Sequence, residues 1–222
     1  MTTSVVRQLV VKDLYLVRWM AIATLVAGLA SAAIMPLSPV SAYVGGVSLI
    51  CVIVILNIML VMTNVVQERK DKALLFILSL PISTAQYTLA KVTANLIVFG
   101  FSWVILTSAA VVVIDRSAIP NGWIPFLLAV LVYLLAYYCA LLGVAVASDS
   151  GGWHAAVITF GNISVNFVIP FLLGRASIGP NLKSATAVWT TDIVTFIAVE
   201  AAIGVVALSA GLYVRSRAKD FV

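Results

Sequence analysis

Six apolar runs, each close to the length that a bilayer demands, decide what this chain can fold into. A hydrocarbon core of about 30 Å takes about 20 apolar residues as helix. Runs over 19–35, 43–66, 92–114, 123–147, 155–173 and 193–214 meet that requirement. Each break carries a stop signal. Pro36 and Pro39 part the first two runs, and Asp115, Arg116, Pro120, Asn121 and Gly122 part the third and fourth. Ser148, Asp149, Ser150, Gly151 and Gly152 part the fourth and fifth. Only 9% of the residues are charged and 63% are hydrophobic. Soluble domains carry about 25% charge, so lipid is the expected solvent. The predicted fold is an all-α polytopic membrane protein with six transmembrane helices, one domain over 1–222. Cys51 and Cys139 lie inside apolar runs and read as small buried hydrophobes, not as a disulfide framework.

Lysine and arginine set the expected orientation. Six spans put both termini on one side. That side gathers Arg7, Lys12, Arg18, Arg69, Lys70, Lys72, Lys91, Arg215, Arg217 and Lys219, ten of the thirteen basic residues. The other side has Arg116, Arg175 and Lys183. Both termini are therefore expected in the cytoplasm and the chain in the cell (inner) membrane. No nucleic-acid partner is expected. Ala30-Ser31-Ala32 resembles a signal-cleavage site, but the segment before it is too long and patterned for a leader, so no cleavage is expected.

The first eighteen residues read as an N-terminal amphipathic helix in the cytoplasmic interface. Val6, Leu9, Val10, Asp13, Leu14 and Val17 recur at three- and four-residue steps, with Arg7, Lys12 and Arg18 largely off that stripe. The alternative is that the segment prolongs the first span, since nothing breaks the helix before Trp19.

The stretch 67–83, QERKDKALLFILSLPIS, changes character halfway. Charges at Glu68, Arg69, Lys70, Asp71 and Lys72 precede a short apolar helix that Pro81 ends. Ser83 and Gln86 have capping-box spacing, so a long new helix is expected from near Thr84. The positive-inside effect accounts for Arg69, Lys70 and Lys72 but not for the interleaved Glu68 and Asp71. A surface shaped for a partner accounts for all of them.

Those residues carry a family resemblance. ERKDKALLFILSLPISTAQYTLAKV resembles the cytoplasmic loop of type-2 ATP-binding-cassette transporter permeases. RQLVVKDLYLVRW is similar to their leading helix, and RSRAKDF to their tails. The resemblance implies a permease subunit of an ATP-driven ABC exporter, paired with a second permease copy or paralogue. It implies two ABC ATPase subunits as partners, which hold the ATP and Mg, so this chain has no cofactor and no ATPase site of its own. It makes 68–80 the short cytoplasmic coupling helix, with Glu68, Arg69, Asp71 and Lys72 setting docking and Leu74, Leu75 and Leu78 buried in the partner's groove. It makes 148–154 a smaller second contact and 174–192 an extracellular, re-entrant element.

Within the spans, Asn57 and Asn64 are seven apart and share a face, as do Asn162 and Asn166, four apart. Interhelical hydrogen bonds worth about 0.6 kcal/mol each are one reading. Lining of a translocation pathway is the other, because the family lines its pathway with the second and fifth spans. Glu200 is the one ionisable residue inside a span, at an insertion cost of roughly 2.5–3.5 kcal/mol at mid-bilayer. Relay, gate contact and hydrogen-bonded structural carboxylate all remain open for it, and Gly204 on the same face permits close helix approach. Thr24, Gly28 and Ala32 form a small-residue stripe that suits packing. His154 is the lone histidine, so a metal site is not expected. No G-x-x-x-x-G-K-[ST] occurs. Two rivals remain: a membrane-embedded enzyme, which wants ionisable groups converging at one depth, and a non-transporting membrane anchor or sensor.

Overall fold

The computed structural model describes residues 2–67 and 84–217. Six helices, each long and apolar enough to cross a membrane, account for nearly all of them. α1 is Thr2–Ile34. α2 is Pro39–Val61, prolonged by a π-helical stretch Met62–Gln67. α3 is Thr84–Arg116, α4 Trp123–Ala147, α5 Gly151–Leu173 and α6 Thr191–Arg217. The described residues contain no strand.

One helix runs unbroken from Thr2 to Ile34, so the leading segment and the first span are continuous. The stripe of Val6 to Val17 continues the core-facing stripe of α1 towards the N-terminus. No glycine or proline interrupts it, and Val17 and Asp13 are buried against the bundle. At 1.5 Å per residue, α1 is about 50 Å long, well beyond a 30 Å hydrocarbon core.

Proline starts α2 rather than only ending what precedes it. Met35–Leu37 forms a 3-10 turn, and Pro39 takes the first helical position, where its missing N–H costs nothing. Ser38 caps the helix, its Oγ accepting from the Ser41 amide at 3.0 Å. The helix therefore begins four residues before Tyr43, where apolarity alone starts the span.

α4 is the axis of the bundle and packs against α2, α3, α5 and α6, while α1 lies on α2 and α3. Leu131, Leu134, Tyr138, Leu141 and Leu142 of α4 are completely enclosed with Leu49, Ile53, Leu56 and Leu60 of α2. Small residues set the closest approaches, as expected where lipid offers no hydrophobic push between helices. A Cβ on Gly211 of α6 would lie 2.4 Å from the Gly143 carbonyl oxygen of α4, and one on Gly143 would lie 2.6 Å from the Ala207 carbonyl oxygen. Gly204 rests on Ala136 in the same seam. The small-residue stripe of α1 packs: Gly28 receives Leu106 of α3, and Ala32 is buried.

Residues 174–190 lie across the end of the bundle away from the termini. A single 3-10 turn, Gly179–Lys183, drops Leu182 and neighbouring Ile178 onto Phe126, Val130, Leu172 and Ile193. The Gly122 amide donates to the Ser184 carbonyl at 3.0 Å, and Asn181 Nδ2 to the Ser177 carbonyl at 2.8 Å. Ser177 Oγ donates to the Asp192 carboxylate at the start of α6.

Candidate functional site

Polar groups enclosed between the helices are the exception in so apolar a bundle, and three sets of polar side chains stand out among the described residues. The first lies where α2, α3 and α4 meet. Asn57 and Asn64 are fully buried. Asn57 Nδ2 donates to the Leu134 carbonyl of α4 at 3.3 Å, an oxygen that its own helix already uses. Neither polar atom of the Asn64 amide has a hydrogen-bond partner among the described residues, nor has Asn57 Oδ1. Asn64 sits in the π-helical stretch, a local widening that occurs mostly in single turns and often at functional sites. In this conformation both asparagines face helices and not open space. Across the same junction the Phe99 ring of α3 stacks on Tyr138 of α4 with centroids 3.9 Å apart, and Trp103 Nε1 donates to the Leu131 carbonyl at 2.9 Å.

The second set threads α4, α5 and α6. Glu200 is half-buried on α6, one turn before Gly204. Tyr133 of α4 shares a short hydrogen bond with Ser164 of α5, whose Oγ also donates to the Gly161 carbonyl at 2.9 Å. Tyr137 Oη donates to the Ile158 carbonyl at 3.3 Å, with its ring filling the space above Gly161. Gly204, one turn on, rests against Ala136 of α4. The Tyr133–Ser164 bond was not legible in the sequence, because its two residues stand on different helices.

Asn162 and Asn166 do share a face of α5, and Asn166 Nδ2 donates to the Asn162 carbonyl at 3.0 Å. Asn162 is half-buried and Asn166 exposed. They are not brought onto Asn57 and Asn64: α4 stands between α2 and α5, packing against both.

The third set lies at the end that carries the termini. Lys91 Nζ of α3 is 2.8 Å from each carboxylate oxygen of Asp13 on α1. Both side chains are buried. Removing one member of such a pair costs about 3–5 kcal/mol, because the other charge stays in the interior. Asn95 Nδ2 donates to the Lys91 carbonyl at 2.9 Å, and the ammonium stands 5.7 Å from the Tyr87 ring. Sequence reasoning missed this pair. Asp13 interrupts an otherwise apolar stripe, which is the signal that it has a partner. At the same end, Arg215 of α6 reaches Asp149 at 3.8 Å, and His154 Nε2 lies 3.0 Å from the Ser148 carbonyl, closing the short turn between α4 and α5.

The expected coupling residues Glu68, Arg69, Asp71, Lys72, Leu74, Leu75 and Leu78 lie outside the described residues. They connect the π-helical end of α2 to the start of α3.

Six bilayer-length helices packed around an apolar core with a few enclosed polar groups are the architecture of a multi-pass membrane protein. The chain belongs to a transporter family: residues 8–216 match the family described as ABC-2 family transporter protein. It is thus a membrane transport subunit, of a family that associates with ABC ATPases. No curated protein and no solved structure matches the chain.

Proposed function

We propose that this chain is the membrane-spanning permease subunit of an ATP-driven exporter. It sits in the cell membrane with both termini in the cytoplasm and pairs with a second permease copy or paralogue. Two separate ABC ATPase subunits hold ATP and Mg and hydrolyse the nucleotide. Stretch 68–80 docks on an ATPase, Glu68, Arg69, Asp71 and Lys72 fixing its register and Leu74, Leu75 and Leu78 filling a groove. The observation that carries the reading is the family match, which runs through all six helices and through this charged elbow. The wide apolar faces left bare on α5 and α6 suit lipid and a second permease subunit. The short connections away from the termini favour a small amphipathic molecule, lipid or peptide as cargo.

The test is a mild-detergent pull-down of the tagged chain from its native cell, with mass spectrometry of what accompanies it. A stoichiometric ATP-binding-cassette subunit is the expected result. Its absence, under conditions that keep other membrane complexes whole, shifts the reading to an anchor or sensor.

Asn57, Asn64, Asn162, Asn166 and Glu200 are assigned to the translocation pathway or its gate. Glu200→Gln keeps the side chain's shape and its capacity to hydrogen-bond while removing the ionisable proton. It is expected to insert and assemble normally. If Glu200 relays protons, transport by this variant loses the wild-type dependence on pH. A transport rate and pH profile matching wild type assign the carboxylate to helix packing.

A further inference from the structure

A buried ion pair and a glycine socket fasten α1 to α3 in one register. The Asp13 and Lys91 side chains retain only 1% and 4% of their accessible surface. Further along the same two helices, a Cβ on Gly28 would lie 2.5 Å from Leu106 Cδ2. Each pair joins residues 78 apart in the chain. α1 and α3 are alternate spans and run in the same direction, so they stay in step over the interval from Asp13 to Gly28, about 22 Å.

Apolar helix faces can slide on one another, because dispersion contacts have no direction. A lysine that donates to a buried carboxylate has a direction, and separating the two would break an ion pair in the interior, where Lys12 lies farther off at 3.6 Å from the same carboxylate. Sliding of α1 on α3 would therefore have to break this pair. Its place gives this a consequence. Lys91 is two turns into α3, the helix that begins where stretch 68–83 ends.

We infer that Asp13 and Lys91 are positioning residues that make the extension of α1 and the base of α3 a single lever, so that a displacement delivered to the start of α3 also moves α1. This rests on the permease reading above. Helix α1 then receives the ATPase stroke through α3, with no need to touch the ATPase itself.

The test replaces the charge pair by a removable link. Asp13→Cys with Lys91→Cys is made in a Cys51→Ala, Cys139→Ala background and reconstituted in vesicles with the co-purified ATPase. Uncrosslinked, the double variant is expected to keep ATP hydrolysis but lose about tenfold or more in transport per ATP. A short bis-methanethiosulfonate bridge should restore transport to within about twofold, and reductant should remove it again. Full transport without the bridge, or an assembled and bridged complex that stays inactive, overturns the inference. The exchanged pair Asp13→Lys with Lys91→Asp guards against misfolding of the cysteine variant. It retains opposite charges and should transport, and its failure to do so once inserted also counts against the lever. Amide hydrogen exchange of wild-type α1 in nanodiscs needs neither variant nor partner. Slow exchange over 8–17, matching that of 88–96, is expected, and fast exchange there overturns the joined unit even if no ATPase is found. A pull-down without an ATPase, beside slow exchange, instead condemns the permease reading and leaves the joined helices standing.

Discussion

Gly211→Leu is expected to separate α6 from α4 and to leave no monodisperse folded chain. The site has no room for even one carbon: a Cβ there would meet Gly143 oxygen, Cα and carbonyl carbon at 2.4, 2.6 and 2.7 Å. All three are backbone atoms, so no rotamer change relieves the collision and the helices themselves must part. Overpacking a core costs about 1–3 kcal/mol where side chains can adjust, and more where backbone must move. That is a large share of a total stability of about 5–15 kcal/mol. Lipid tails solvate the parted surfaces as well as the partner helix did, so little drives them back together. Thermal stability in detergent, followed by size-exclusion, reads the effect. Gly204→Ala should be milder, because its new carbon would sit 3.2 Å from Ala136 Cα. Gly100→Ala is the control: nothing lies within 4 Å, and a helical glycine replaced by alanine gains about 0.5–1 kcal/mol. Equal melting of Gly211→Leu and wild type would mean that α4 and α6 do not meet along this seam.

The spans were legible because crossing a membrane is a local requirement. Length and apolarity within one run decide it, and Pro39, Asp149 and Gly151 mark ends through their own backbone chemistry. Which faces meet was less legible. Gly204 suggested close approach, but that Gly211 would lie on Gly143 depends on how two helices are placed, and neither run encodes the other's position. Asp13 and Lys91 show the same limit. Lys91 counted among the basic residues near the termini, within a helix expected from near Thr84, and its burial is visible only once α1 brings Asp13 against it. The leading segment shows a related limit: a stripe that faces lipid headgroups and a stripe that faces neighbouring helices have the same period. Asn57 and Asn64 are both buried. That they would be enclosed between α2 and α4 was not in their spacing.

Leu75→Asp combined with Leu78→Asp is expected to abolish association with the ATPase while leaving the chain inserted. Residues 73–80 precede Pro81 and have the composition of a good helix former. On such a helix Leu74, Leu75 and Leu78 lie within one turn and make a single apolar face. A short helix seated in a partner's groove depends on a few such anchors, each worth about 2 kcal/mol or more when truncated. Two aspartates add unpaired carboxylates to the lost contacts, so a loss of roughly a thousandfold in affinity, about 4 kcal/mol, is a conservative expectation. Insertion should be unaffected, because both positions lie outside the six spans. Surface charge should behave differently. Glu68→Lys with Asp71→Lys is expected to slow association and change its salt dependence, since charges at a rim steer encounter more than they hold a complex. Titration of the ATPase against the reconstituted chain at two ionic strengths separates the cases. Undiminished binding of the double aspartate variant would show that stretch 68–80 is not where the ATPase docks, and the charged elbow would then serve only to hold the loop at the membrane surface.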